Sequence, residues 1–490
     1  MASMLRIHPN DNVAVAYEPV EAGERCCGVA ATEPIAKGFK MSLEAIPAGA
    51  PVVKYGNPIG TATQAIAPGS LVHVHNLKTG LSGELDYQYQ PVKPALKPLA
   101  PLMFDGYVRK DGRVATRNEI WIIPTVSCVN GTIQKLSQMA QPFMVDGIDD
   151  IVAYPHPYGC SQMGDDHITT QTILARLVDH PNAAGVLVVG LGCENNQVSD
   201  FKKVLGEYDP ERVRFMVCQE AEDEYEEGIR LIRELVDYAR TARRQPVPVS
   251  ELIVGLKCGG SDGLSGITAN PLVGAFSDRL IALGGTSILT EVPEMFGAET
   301  ILMNRCTDRP VFDKAVLMIN DFKKYYLDHG QVVYENPSPG NKAGGITTLE
   351  DKSLGCIQKG GSAPVTDVVE YGGKVVTKGL NLLSGPGNDV ISITALTAAG
   401  AHVILFTTGR GTPLGAPAPT IKIGSNTALY EKKRQWIDFD AGPIVNGRTL
   451  DDMADELVQH VVAVASGRIK TCSERHGLRE IAIFKDGVIL

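Results

Sequence analysis

The chain has 490 residues, 44% hydrophobic and 21% charged, with a formal net charge of −10. That length predicts several domains rather than one core, and the composition excludes extensive disorder. The acidic balance, with no basic run to reverse it, argues against nucleic-acid or membrane-surface binding and leaves a small-molecule partner as the expectation. No apolar stretch approaches the roughly 18 residues of a membrane span, and the start lacks a signal-peptide core. The 10 cysteines include no CxxC pair, which predicts reduced thiols and a cytoplasmic protein.

Residues 1–90 read as a small β unit. Short apolar runs (Val13–Ala16, Val52–Tyr55, Leu71–His75) alternate with a repeated turn, seen as Ile35-Ala-Lys-Gly38, Ile46-Pro-Ala-Gly49 and Ile66-Ala-Pro-Gly69. His73 and His75 stand two apart in a strand-like run, so both rings are predicted on one face, where they suit a metal ion. The bland reading is chance alternation on a solvated face. Residues 91–101 carry Pro91, Pro94, Pro98 and Pro101 and are expected to form an extended linker.

From 102 to 245 strands and helices alternate. Apolar runs ending in cysteine recur at Cys128, Cys160, Cys193 and Cys218, and again at Cys258. Their spacing is that of βα units, whose carboxyl ends carry ligand sites in open α/β sheets. Gly159-Cys160-Ser-Gln-Met-Gly-Asp-Asp-His167 places a thiol, two carboxylates and an imidazole just before a helix through about His180, with Ile173, Leu174, Leu177 and Val178 as its apolar stripe. One of Asp165 and Asp166 is expected to cap it, and the helix start should keep His167 neutral. Gly190-Leu-Gly-Cys193-Glu194-Asn195 lacks the third glycine of a dinucleotide loop and reads better as a ligand or substrate tip. A second amphipathic helix runs from Glu224 to about Arg243, and a polar linker follows it.

The region 250–490 continues the α/β alternation with more glycine loops. They include Cys258-Gly-Gly-Ser, Glu291-Val-Pro-Glu-Met-Phe296, Asn336-Pro-Ser-Pro-Gly-Asn341-Lys342 and Ser384-Gly-Pro-Gly-Asn388-Asp389. Thr347 and Glu350 have capping-box spacing, which predicts that the Lys342 loop feeds a helix. Gly-Pro-Gly-Asn388-Asp389 and Arg410 read as carboxylate-binding elements. Taken singly, each such loop is more often a tight turn than a site.

Together and in order, several stretches carry a specific resemblance. They are His73-Val-His-Asn76, Arg117-Asn-Glu119, Cys128-Val-Asn130, Tyr158-Gly-Cys-Ser-Gln162, Gly164-Asp-Asp-His167, Gly192-Cys-Glu-Asn-Asn196, Glu291–Glu299, Glu335–Lys342, Thr407–Pro413 and Trp436–Asp440. The chain resembles the altronate and galactarate dehydratase family over essentially its whole length. The resemblance implies an SAF-type β domain followed by two α/β regions with mostly parallel sheets. It also implies an iron-dependent hydro-lyase that forms a 2-keto-3-deoxy sugar acid, with altronate ahead of galactarate and other acids.

On that basis the expected metal is Fe²⁺, with Mn²⁺ or another divalent ion able to take its place. His73 and His75 are its expected ligands, helped by Cys160, Cys193 and Glu194. Lys342 and His167, with Asp166, are the acid–base candidates, and Arg410 is the carboxylate anchor. Asn195, Asn341, Asn388 and Asp389 are the expected substrate contacts. The active site should be shared between the β unit and the α/β regions, in a homodimer or higher homo-oligomer. An iron–sulfur dehydratase using Cys128, Cys160, Cys193 and Cys258 is the main competing enzyme reading. A nicotinamide-dependent dehydrogenase lacks its fingerprint, and a binding protein built on the β unit would explain only that unit.

Overall fold

A computed structural model describes residues 3–490. The N-terminal unit is β throughout. Met4–Leu5, Val13–Ala16, Lys40–Ser42 and Leu71–Val72 form one antiparallel sheet in that order, and Pro51–Lys54, Asn57–Ala62 and Leu77–Lys78 form another. The repeated turns pair through their hydrophobic residues, with antiparallel bridges Val20–Ile35 and Ile46–Ile66. Gly38, Gly49 and Gly69 each supply the positive φ that the corner needs.

The strand expected to carry His73 and His75 ends earlier, at Val72. Residues 73–76 are a turn, in which Asn76 N–H donates to the His73 carbonyl (3.0 Å) and Asn76 Oδ1 accepts from His73 N–H (3.0 Å). Asn76 closes the chain on itself, so the same-face argument for the two rings fails.

The proline-rich segment is laid along the C-terminal region instead of hanging free. Tyr87 Oη donates to Glu299 (2.5 Å), Tyr89 Oη to the Cys306 carbonyl (2.7 Å), and Leu99 N–H to the Ala282 carbonyl (3.0 Å). The second expected linker is partly a strand: Gln245–Pro248 pairs antiparallel with Met103–Val108. Its two prolines are tolerated in a short ladder of this kind, where few N–H groups are required.

The middle region holds a four-stranded parallel sheet, ordered Ile151–Ala153, Glu119–Pro124, Ala183–Gly190, Val213–Val217. Alternation along Glu119–Pro124 decides its two faces. Ile120 and Ile122 pack with Ile133, Leu136, Ile232 and Leu235 of the helices Asn130–Ala140 and Glu224–Ala239. Trp121 and Ile123 pack with Ile173, Leu174, Leu177 and Val178, the predicted stripe of the helix Gly164–Asp179. Neither Asp165 nor Asp166 caps that helix, because both lie inside its first turn and Met163 holds the cap position.

The C-terminal region is built on seven parallel strands. Their order is Val365–Val369, Gly379–Leu383, Thr286–Leu289, Ile253–Cys258, Val403–Thr408, Thr420–Gly424 and Phe439–Asp440. The chain leaves Ile253–Cys258 toward one side and returns on the other with Val403–Thr408. The order therefore reverses at the strand that ends in Cys258, and a crevice opens at such a switch point.

Candidate active site

Four ligand-type side chains converge beyond that strand: Cys258, Glu291, Glu294 and Cys356, all buried, with ligand atoms within 4.8 Å of one another. Cys258 closes the strand. Glu291 follows Thr286–Leu289 in a left-handed conformation (φ 74°), which swings its carboxylate back over the strand end, where Cys258 N–H donates to it (3.0 Å). Glu294 ends the short helix Val292–Glu294, and Cys356 ends the helix Leu349–Cys356. The two sulfurs are 3.6 Å apart, and Glu294 Oε2 lies 3.5 Å from Cys258 Sγ and 3.7 Å from Cys356 Sγ.

Three buried lysines surround this group. Lys257 pairs with Glu291 and, at 2.9 Å, with Asp389; Lys359 lies 3.2 Å from Glu291 and donates to Cys356 Sγ (2.8 Å); Lys352 pairs with Glu294 at 2.7 Å. Burial alone would strip the lysines of their protons, but the carboxylates and thiols around them hold all three above the usual lysine range. In the same way burial would raise Glu294, yet Lys352 and Lys257 bring it down to about 2. The contact between the two sulfurs lowers the Cys258 pKa, while Cys356 rises through that contact and burial.

Cys258 and Glu294 of this group, with Lys352, form the floor of a cleft of about 540 Å³, lined also by Asn336, Ser338, Lys342, Asn388 and Asp389. Two thiols with two carboxylates are a donor set that fits a divalent transition-metal ion. The surrounding ammonium groups suit an anionic substrate.

The N-terminal unit closes on the elements that carry this floor. Lys40 and Lys54, both buried, grip Asp351 at 2.9 and 3.0 Å, and Asp351 is the neighbour of Lys352. Glu350 accepts from Thr79 Oγ1 (2.9 Å) and Gly80 N–H (2.7 Å). The expected Thr347–Glu350 capping box is therefore absent. Thr348 is the cap, accepting from Asp351 N–H, and Glu350 turns outward to the β unit. Gly38 is pressed so closely on this region that a Cβ would sit 2.8 Å from the Gly344 carbonyl.

The other predicted residues divide into those near the cleft and those elsewhere. His73 is half-buried against Phe39 (ring centroids 4.9 Å apart), and burial, then Lys40 and His75, bring its pKa down to about 4. Gly38, next to Phe39, abuts Gly344 and Gly345, which places the His73 turn near the end of the Lys342 loop. His75 is exposed. Arg410 reaches the Gly340 carbonyl (3.3 Å) at the foot of that loop. Asn341 and Asn388 serve their own helices: Asn341 completes a capping box with Ser338, and Asn388 caps the helix Asp389–Ala398.

Cys160, Cys193, Glu194, Asn195, Asp166 and His167 belong to the middle sheet. Glu194 accepts from Thr125 Oγ1 (2.6 Å), Leu191 N–H (3.1 Å) and Gly192 N–H (2.6 Å), so its carboxylate is consumed by its own loop. Asp166 accepts from Asp486 and Gly487 N–H (2.9 and 2.8 Å) and pins the C-terminal tail.

Residues of the floor that the site prediction passed over had signals of their own. A lysine in the apolar run Ile-Val-Gly-Leu-Lys257-Cys258 is out of place in a buried parallel strand. Lys352, Cys356 and Lys359 stand at i, i+4 and i+7, one helical face.

Comparison with known proteins agrees with this architecture. The model for the D-galactarate/altronate dehydratase C-terminal domain matches residues 249–489, that for the second domain of D-galactarate dehydratase/altronate hydrolase 106–240, and that for the altronate/galactarate dehydratase SAF domain 2–80. The chain is 52% identical to altronate dehydratase of Escherichia coli (strain K12), with 99% of each covered. It is 50% identical to altronate dehydratase of Bacillus subtilis (strain 168), with 100% of each covered. Galactarate dehydratase (L-threo-forming) of Escherichia coli (strain K12) is 32% identical, over 99% of this chain and 97% of the relative. With all three of its regions matched and its full length shared with these enzymes, the chain belongs to the altronate/galactarate dehydratase family.

Proposed function

We propose that this protein is a hydro-lyase that dehydrates altronate to a 2-keto-3-deoxy sugar acid in the cleft above Cys258. The observation that carries this reading is the set of three buried ammonium groups around two glutamates and a thiol pair at the switch point of the seven-stranded sheet.

Dehydration of a 2,3-dihydroxy acid breaks the C2–H bond, leaves its electron pair in an enediolate conjugated with the carboxylate, and breaks the C3–O bond. The leaving oxygen departs with a proton as water, and the resulting enol tautomerises to the 2-keto acid. Lys352 lines the cleft, and Lys257 lies behind it, paired with the lining residue Asp389; both keep their charge among carboxylates, so they stabilise the negative charge that develops. Lys342 is the proposed base for the C2 proton, and Arg410 anchors the substrate carboxylate beside it.

Fe²⁺ is the proposed cofactor, and Cys258, Glu291, Glu294 and Cys356, in place of the two histidines, are the residues proposed to hold it. When bound, a divalent ion supplies Lewis acidity toward the substrate oxygens. His73, its pKa brought down to about 4 by burial, is neutral at physiological pH.

A panel of aldonic and aldaric acids, assayed for 2-keto acid with Fe²⁺ under reducing conditions, tests the reading. Altronate is expected to react fastest, and Glu294→Gln and Lys352→Met should abolish most of that turnover. Undiminished activity in both variants would place the chemistry elsewhere.

A further inference from the structure

The dehydratase reading leaves a second group of thiols without a role. Cys128, Cys160 and Cys193 are free and exposed, and each follows a strand of the middle sheet at its carboxyl end. Those strands are adjacent in the order Ile151–Ala153, Glu119–Pro124, Ala183–Gly190, so the loop of Cys128 lies between the other two.

The outer loops meet each other directly. Asn196 N–H donates to the Gly159 carbonyl (3.0 Å), and Ser161 N–H to Asn195 Oδ1 (2.8 Å). The central loop is tied in by Ser127 N–H to the Tyr158 carbonyl (2.9 Å) and by Asn196 Nδ2 to the Thr125 carbonyl (3.0 Å). Gly159 is pressed against Thr125 and Val126, where no side chain would fit.

The backbone here is costly to hold. Ser161 sits at φ 59° without being glycine, and Gly159 and Gly192 at 99° and 129°. A non-glycine residue in the left-handed region is strained and persists where surrounding bonds over-determine it. Glu194 is locked beneath by three donors, and Asn196, fully buried, leaves its Oδ1 without a partner among the described residues. Three soft ligands are therefore presented to solvent on mutually bonded loops, and none of them lines the lysine-bearing cleft.

We propose that Cys128, Cys160 and Cys193 form a three-thiolate site for a thiophilic metal centre. Thiolates select zinc and iron–sulfur clusters, which share this ligand chemistry. Three protein ligands leave one coordination position open in either case, on a tetrahedral zinc ion or on one iron of a cubane cluster.

The test is metal and acid-labile sulfide analysis of the full-length protein purified without oxygen. It compares wild type, the triple variant Cys128→Ser/Cys160→Ser/Cys193→Ser, and the Cys258→Ser/Cys356→Ser variant. The triple variant is expected to lose the zinc, or the iron with its sulfide, held by the three thiolates while keeping any metal at Cys258 and Cys356, and the double variant is expected to show the reverse. Iron with matching sulfide and visible absorbance identifies a cluster, and zinc without sulfide identifies a single ion; both outcomes support the site.

Equal metal content in wild type and triple variant overturns it, as does loss confined to the double variant. Should the triple variant fail to fold, titration of wild type and Cys193→Ser with Cd²⁺ decides the matter through the ultraviolet thiolate-to-metal band. A band of equal strength in both overturns the proposal. Loss of altronate turnover in the double variant alone bears on the dehydratase reading and not on this one.

Discussion

The two α/β regions use one device with opposite outcomes. Both run a parallel strand to a cysteine at its carboxyl end. In the middle sheet the thiols stand exposed, and the neighbouring carboxylate, Glu194, is consumed by backbone donors. In the seven-stranded sheet Cys258 is buried among Lys257, Lys352 and Lys359, and its carboxylates are paired with those lysines. A strand ending in cysteine thus fixes where a side chain lies on a sheet. The charges packed over it, which come from distant segments, fix what it can do.

The sharpest way to break this contrast is by turnover. Glu294→Gln or Lys352→Met is expected to lower the rate of sugar-acid dehydration by roughly 10²–10³-fold, the scale of losing one preorganised charge at the reacting centre. Cys160→Ser should cost far less if the middle loops lie outside the dehydration cleft. Equal losses in steady-state assays would merge the two sites into one.

Stability should separate the regions next. Asp351→Asn leaves Lys40 and Lys54 buried without their carboxylate and is expected to cost about 3–5 kcal/mol in denaturant unfolding. Asp200→Asn removes only an exposed pair with Lys203, worth about 0–1 kcal/mol. Similar midpoints for the two variants would show that the β unit is not held by this pair.

Thiol reactivity gives a smaller but direct reading. Cys128, Cys160 and Cys193, with Cys27, should react at once with an aromatic disulfide reagent in metal-free protein, whereas Cys258 and Cys356 should react only on unfolding. Rapid labelling of Cys258, located by peptide mass analysis, would contradict the buried floor.

The mildest effect concerns His73. Its pKa is about 4 in the folded chain against an ordinary 6.5, so the unfolded chain binds more protons between those values. Its contribution to stability is therefore complete above about 6.5 and declines as pH falls toward 4. Its imidazole resonances should titrate near 4, and His73→Ala should flatten that part of the stability profile. A titration midpoint near 6.5 would remove His73 from the closed interface.

Much of the fold was legible because it depends on local period. The stripe Ile173, Leu174, Leu177, Val178 and the alternation Ile120–Ile123 needed only the geometry of helix and strand. The His73–His75 run misled because Asn76 caps a turn that hydrophobic alternation does not register. Thr347 and Glu350 had the right spacing for a box, but Thr348 took the cap and Thr79 offered Glu350 a better partner from far away in the chain. The floor of the cleft was the least legible part. Cys258, Glu291 and Cys356 meet only through the crossover order of the sheet, and a buried lysine seen alone does not say which carboxylate it serves.

Asp351 and Lys352 are consecutive, yet one is held by the β unit and the other looks into the cleft. Thermodynamic reciprocity then applies across a single peptide bond. Whatever free energy a bound anion gains from a fixed Lys352, the docking of the first eighty residues gains equally from the anion. An anion bound at Lys352 would in this sense act as a glue for the β unit, its binding linked to the docking of that unit.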